Sequence, residues 1–412
     1  MNTPQGGCPE RETDHPGRGL RGEFAAVVAG NHRLCRDHYR LVLRLPAFPP
    51  TGPGQFIQIA CAPMPPPLED VVLDDWRPGD GLAVAGPELK DRIAVLRRPF
   101  SLAGRRDVGD GVELEIVHRV IGVGTAWLSG RQVGDPLGVL GPLGNRFDLP
   151  TEDQVAILVA GGVGIPPMLY LASALAGRRA VAFAGAQSRD LLPLTVLADT
   201  PAPSPDRIEP LYNIAEFARH GIPAVISTDD GSCGFRGLVT QALERYLDAW
   251  GPGSDQWTER RSDEATKRRS DEGGRGNDEA RSPKSERITN GEARMLTGNW
   301  QLAPGSPRPI ENRKSKIENA DHSGLSTQHS PLIYACGPEA MMKRVVEIAA
   351  ARGLECQVAV ERAMACGMGT CQSCVIRVRK SDPSSPPLAG QQWCYRLACT
   401  DGPVFRGADV LW

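Results

Sequence analysis

Three observations predict a multi-domain protein of the β and α/β classes. Residues 23–148 carry short apolar alternations cut by Gly and Pro, the order changes near Gln154 to strand, glycine turn, helix and strand, and cysteines crowd together near residue 370. In chain order these predict an antiparallel β-barrel, a Rossmann-like parallel-sheet domain and a small C-terminal cysteine-rich domain. We place the barrel at 21–150, the parallel-sheet domain at 151–353 and the last domain at 354–412.

The barrel strands read as "FAAVVAG", "YRLVLRL", "GQFIQIA", "VELEIVHRV" and "PLGVLGPLG". A Pro-rich segment at 61–91 interrupts them and has the composition of a long surface loop. The βαβ unit is "QVAILVA", "GGVGIPP", "MLYLASALAG" and "RAVAFAGA", and a later strand, "PLIYACGP", precedes the helical "EAMMKRVVEIAAARG". Residues 1–20 read as a polar disordered tail. Residues 251–330, rich in Ser, Gly, Asn, Arg and Glu, cannot bury enough apolar surface to offset chain entropy, and are expected to be a disordered insertion.

With 412 residues, 41% hydrophobic and 23% charged, the chain has the balance of an ordinary soluble protein. A formal charge of -2 provides no basic field for nucleic acid or acidic lipid. The polar start and the lack of any run of about 18 apolar residues predict a cytoplasmic protein with no membrane partner. In that reducing compartment, eleven cysteines point to metal or redox chemistry rather than disulfides.

Cys366, Cys371 and Cys374 form C-x4-C-x2-C, the spacing of plant-type [2Fe–2S] proteins, which use one more, distant cysteine. Gly367 and Gly369 let the backbone wrap closely and turn amides toward an anionic cluster. Two residues qualify as the fourth ligand, Cys394 and Cys399, and the turn in "ACTDGPVF" favours Cys399. A structural zinc site is the alternative, but zinc knuckles pair C-x2-C with a second close pair that this sequence lacks.

Other short stretches have ligand chemistry. In "RRPFS", Arg98 presents a planar charged fork suited to a pyrophosphate, and Ser101 a hydroxyl for the edge of a flavin ring. In "GVGT", Gly122 and Gly124 open a turn and Thr125 begins a helix-like stretch, a place for an anion. "GGVGIPP", with Gly162 and Gly164, joins a buried strand to a helix but departs from G-x-G-x-x-G, and the acidic residue expected after the next strand is lacking, where the sequence reads "GAQSRD". Arg189 there leaves room for a 2′-phosphate, so the turn does not choose between NAD and NADP. Cys336 ends a strand where crevices of parallel sheets open; it is expected either to face flavin and nicotinamide or to be a small core residue.

Together "RRPFS", "GVGT", "GPLGNRF", "GGVGIPP", "TDDGSCGFRGLVT", "YACGPEAMM", "ERAMACGMGTCQSC" and "CTDGPVF" resemble the ferredoxin–NADP reductase superfamily. Within it the chain is most similar to electron-transfer subunits of NAD-dependent, class 1B dihydroorotate dehydrogenases, over most of 21–250 and 331–412. The resemblance implies FAD on the barrel at Arg98, Pro99, Phe100, Ser101, Gly122, Gly124 and Thr125. It implies NAD as co-substrate near Gly162, Gly164 and Cys336. It also implies a [2Fe–2S] cluster on Cys366, Cys371, Cys374 and Cys399, the last being the cysteine before "DGPVF".

An FMN-containing catalytic subunit is the implied partner, in a heterotetramer of two of each chain, serving pyrimidine biosynthesis. The ordered length leaves no room for a (β/α)8 barrel of about 250 residues, so substrate oxidation is expected in that partner. A flavin and iron–sulfur subunit of a ferredoxin–NADP transhydrogenase or sulfhydrogenase is one alternative, and a non-enzymatic redox sensor another. The loop at 61–91 and the insertion at 251–330 are longer than the resemblance leads one to expect.

Overall fold

A computed structural model of the chain describes residues 21–62, 96–197, 208–249, 331–379 and 393–412. The initial tail, most of the 61–91 loop and the 251–330 insertion lie outside the described residues.

Six strands close an antiparallel barrel: β1 (Gly22–Cys35), β2 (His38–Leu45), β3 (Phe56–Ile59), β4 (Arg98–Val108), β5 (Gly111–Arg119) and β6 (Pro136–Leu143), in the order β1-β2-β5-β4-β3-β6. Period-two alternation sends Leu41, Leu43 and Leu45 of β2, with Leu114 and Ile116 of β5, into a core that excludes water completely. Each such side chain contributes roughly 1.5–3 kcal/mol by burial. A short helix, α1 (Val123–Ser129), connects β5 to β6.

The second layer system begins at β7 (Ala156–Gly161), followed by α2 (Ile165–Ala174), β8 (Ala180–Ala186), α3 (Ala215–Ala218), β9 (Ala224–Thr228), β10 (Phe235–Arg236), α4 (Val239–Ala249), β11 (Leu332–Cys336), α5 (Glu339–Ala351) and β12 (Glu355–Ala359). β7, β9 and β11 are buried at every position, and β8 at all but its last, as parallel strands covered on both faces must be. After these come β13 (Val375–Arg379), β14 (Trp393–Leu397) and β15 (Val404–Arg406). The sheet order is β10-β9-β8-β7-β11-β12-β15, parallel except for β15, while β13 and β14 pair alone as an antiparallel ribbon.

Residues 355–359, grouped with the C-terminal segment in the sequence reading, are thus a strand of the parallel sheet, and β15 closes its edge beside them. The reason is pairing: β12 matches β11 from Leu332↔Glu355 to Cys336↔Ala359, and its buried Val358 and Ala359 need that neighbour. The cysteine loop therefore hangs between two strands of one sheet, β12 and β15, with the β13–β14 ribbon on the same excursion.

Two seams fix the barrel to the sheet. Tyr170 of α2 packs into the barrel core and its hydroxyl is 2.8 Å from Thr51 Oγ1, so one helix belongs to both cores. At the other seam Asn145, in "GPLGNRF", gives its side-chain amide to the carbonyls of Asp401 and Val404 and accepts the Val404 N–H. Gly144, at φ +75°, lies so close that a Cβ would stand 2.5 Å from Pro403 Cδ. These contacts link "GPLGNRF" with "CTDGPVF". No helix among the described residues is long and apolar enough to cross a membrane.

Candidate functional site

Three groups of residues, one on each part of the fold, carry chemistry. The cysteine loop is non-repetitive backbone, bent through left-handed conformations at Gly367 (φ +70°), Gly369 (φ +90°) and Gln372 (φ +56°). Those bends aim the N–H groups of Met368 and Cys371 at Cys366 Sγ, at 3.3 and 3.4 Å. Ser373 pins the loop from inside, accepting the Ala365 N–H and donating to the Ala363 carbonyl, with its hydroxyl 3.2 Å from Cys371 Sγ. The Ser373 hydrogen bonds, with further ones from Cys366, hold the exposed Cys371 thiol down at about 6.

Cys374 and Cys399 are both buried and adjacent, joined by backbone too, since the Ala398 N–H donates to the Cys374 carbonyl at 3.0 Å. Burial first, then the Cys374 thiol, and more weakly Cys366, push Cys399 up to about 12. The Gly369 amide donates toward the Cys399 thiol and opposes that rise. Cys394 sits inside β14 opposite Val378, three positions before the end of that strand at Leu397. Its backbone is committed to the ribbon.

This donor set fits a [2Fe–2S] cluster: four soft thiols, with amides already directed at two of them. Among the described residues no three His, Cys, Asp or Glu side chains converge on one metal position. A two-iron cluster asks instead for two thiolates at each iron. Arg362 does not stand free beside the loop; it pairs with Glu339 of α5 at 2.7 Å and ties the loop to the sheet domain.

On the barrel, Arg98 to Ser101 form the first part of β4, which pairs with β3 from Phe56↔Ser101 to Ile59↔Arg98. Among the described residues the Arg98 guanidinium meets only the backbone carbonyls of Leu96 and Arg97, which leaves it donors for an anion. β5 runs into the Gly122 turn, over which a Cβ would touch nothing within 4 Å. Thr125 uses its hydroxyl locally, accepting the Ile121 and Gly122 N–H groups and donating to the Gly122 carbonyl. Its side chain therefore shapes the turn.

Between the two motifs lies His118, which sequence reading missed. It is only 3% exposed, neither ring nitrogen has a hydrogen-bond partner among the described residues, and its ring packs 5.9 Å from that of Phe100. An orphaned buried imidazole beside "RRPFS" is the feature of a site whose polar complement includes a ligand, so the barrel residues fit a flavin nucleotide. Burial, helped by nearby His38, lowers its pKa from 6.5 to about 4. The native ring is neutral while the unfolded one gains a proton below 6.5, so stability is intact above about 6.5 and falls as pH drops toward about 4. The unfolding free energy of the full chain should decline across that window by up to about 3 kcal/mol from this group, and His118→Phe should flatten the slope. An unchanged slope in the variant would assign the acid limb elsewhere.

The sheet domain supplies the third group. Gly162 has φ +52° with open space above it, whereas a Cβ on Gly164 would lie 2.0 Å from the Cys336 carbonyl oxygen. The turn and the end of β11 are thus pressed together. Cys336 is 9% exposed, and burial, with Glu361 adding, raises its thiol to about 12, so it is a neutral group at pH 7. Beyond β8 and β9 opens a cleft of about 560 Å³ lined by Ser188, Arg189, Asp190, Asp230 and Ser232, with Cys35 and Arg36 from the β1–β2 hairpin. Arg36 pairs with Asp190 at 3.0 Å, and the Ser232 hydroxyl accepts the Arg189 N–H. The serine and acidic residues of "TDDGS" were visible as a motif, but the hairpin's contribution had no local signal.

A barrel joined to a parallel sheet in this way is the fold of flavin-dependent nicotinamide reductases. The solved structure of an NADH-dependent reduced ferredoxin–NADP oxidoreductase superposes with a TM-score of 0.52 at 21% identity, covering 94% of this chain and 90% of that one. Residues 361–411 match the family described as the iron–sulfur cluster binding domain of dihydroorotate dehydrogenase B. The chain is 23% identical over 392 residues to the dihydroorotate dehydrogenase B (NAD(+)) electron transfer subunit of Caldanaerobacter subterraneus, covering 95% of this chain and 100% of the relative. The corresponding subunit of Geobacillus thermodenitrificans is 28% identical over 336 residues, covering 81% and 86%. The resemblance read from the motifs thus holds along the length of the chain.

Proposed function

We propose that this chain is the electron-transfer subunit of an NAD-linked dihydroorotate dehydrogenase. It receives electrons from the FMN of a catalytic partner subunit and delivers them, by way of a [2Fe–2S] cluster and FAD, to NAD+. The observation that supports this best is the set Cys366, Cys371, Cys374 and Cys399, which lies within the matched segment 361–411 on the excursion between two strands of the parallel sheet, β12 and β15. When bound, the flavin supplies the exchange between single electrons and the hydride that NAD+ accepts.

The chain's own residues do the rest. Cys366, Cys371, Cys374 and Cys399 hold the irons, and the loop amides offset the charge on sulfur. Arg98 binds the FAD pyrophosphate, Ser101 the ring edge, and Pro99 and Phe100 shape the strand against it, with Gly122, Gly124 and Thr125 giving close backbone approach. Gly162 and Gly164 seat the nicotinamide nucleotide, and Cys336 borders that seat as a neutral thiol. Dihydroorotate is oxidised in the partner, in a cytoplasmic assembly of two copies of each chain.

Arg98→Ala removes a charge-assisted contact of about 1.5–3 kcal/mol. We expect its FAD content to drop sharply and NADH oxidation by an artificial dye to drop with it, while iron and sulfide stay at wild-type levels. Full flavin occupancy in this variant would move the flavin off β4.

A further inference from the structure

Gln58 stands where the barrel meets the cysteine loop. β3 is buried at all four positions, with Ile57 and Ile59 in the barrel core. Gln58 alternates to the other face, yet it is 0% exposed, because the cysteine loop covers it. Its Nε2 donates to the Ala365 carbonyl in a long 3.4 Å contact, and its Oε1 has no partner among the described residues. A Cβ on Gly367 would come 2.7 Å from Oε1 and 2.8 Å from Cδ, so the first glycine of "CGMGTC" is needed partly to admit this side chain. On the strand itself Gln58 is paired with Pro99, between Arg98 and Ser101 of β4.

One buried carboxamide therefore touches the loop that carries Cys366 and is backbone-paired with the strand that carries Arg98. Leaving an amide oxygen without a partner in a dry interface costs about 1–3 kcal/mol. A hydrocarbon of the same size would fill the space more cheaply. The NH2 group carries two hydrogens, and with one given to the Ala365 carbonyl the second is left for the cluster side of the neighbouring Cys366–Gly367 segment, where an anionic cluster would accept it.

We propose that Gln58 is a positioning residue of the electron path: it holds the loop at a fixed distance from β4 and donates toward the cluster side of the loop, stabilising the reduced cluster. This rests on the flavin and cluster assignments above. Loss of the donor makes the cluster harder to reduce, because hydrogen bonds to cluster sulfur set its potential. In the wild-type chain reduced anaerobically with NADH, each pair of electrons is shared between flavin and cluster.

The test compares wild type with Gln58→Leu and the isosteric Gln58→Glu in the full chain. FAD is measured by absorbance, cluster content by iron and labile sulfide, and cluster reduction by electron paramagnetic resonance at graded NADH/NAD+ ratios. We expect both variants to keep flavin and iron while the electron distribution shifts about tenfold from cluster to flavin, about 59 mV for one electron. An unshifted distribution in a loaded variant would overturn the inference, and so would loss of iron with retained flavin in both variants, which would make Gln58 mere support for the loop. Wild-type protein lacking iron or FAD would instead overturn the proposed function.

Discussion

Replacing Gly164 with Ala will give a protein that unfolds several degrees below wild type or does not accumulate at all. The added Cβ would stand 2.0 Å from the carbonyl oxygen of Cys336, 2.2 Å from its carbon and 2.5 Å from the nitrogen of Gly337, all backbone atoms of a central strand end that cannot rotate away. Overpacking in a rigid core costs about 1–3 kcal/mol and more where only backbone can yield, so we expect a loss of roughly 3–4 kcal/mol. Gly162, two residues earlier, separates sterics from conformation. Its φ of +52° strains a side chain, but nothing lies within 4 Å, so Gly162→Asn should fold with a loss of about 1 kcal/mol. Thermal unfolding of the two variants checks this; a Gly164→Ala melt equal to wild type would show that the turn and β11 are not in contact.

Cys399→Ser should lose most of its iron and sulfide while FAD and the sheet remain. The thiol is buried against Cys374 and within the influence of Cys366, so no neighbouring side chain or solvent can replace it, and a serine oxygen is a hard, poorly ionised substitute for a thiolate. Equivalent losses are expected at Cys366, Cys371 and Cys374. Cys394→Ser should keep both iron and sulfide, because that residue lies within the β13–β14 ribbon opposite Val378. Metal and sulfide analysis after anaerobic purification reads the difference. Zinc in the wild type, or iron lost from Cys394→Ser and kept in Cys399→Ser, would contradict the ligand assignment.

Elements governed by local periodicity were legible in the sequence. Alternation along "YRLVLRL" and "VELEIVHRV" announced barrel strands, and the continuous apolar runs of "QVAILVA" and "PLIYAC" announced buried parallel ones. The cysteine spacing was equally direct. Features that depend on pairing between distant segments were not legible. The strand 355–359 looks local to the cysteine domain until its partner β11 is known. Asn145 gains its meaning only from Asp401 and Val404, which the sequence places far beyond it at the other end of the chain. Gln58 reads as an ordinary polar position of a barrel strand, and only the distant loop at Ala365 and Gly367 makes it buried. Arg362 stands four positions before Cys366 in the sequence, and only the fold shows that it is paired with Glu339 of α5. His118 follows Leu114 and Ile116 in the inward register of β5, but only the fold shows that its ring is packed against Phe100 with neither nitrogen partnered among the described residues.

The chain's place between a catalytic partner and NAD+ is tested most directly by coupling. The purified chain, alone and mixed with an FMN-containing (β/α)8 dihydroorotate dehydrogenase, is given dihydroorotate and NAD+ under anaerobic conditions, and NADH is followed by its absorbance. We predict no NADH from either protein alone, steady NADH formation from the mixture, and loss of that formation when Cys399→Ser replaces wild type. NADH formation by the isolated chain, or an undiminished rate in the mixture with Cys399→Ser, would contradict the proposed path.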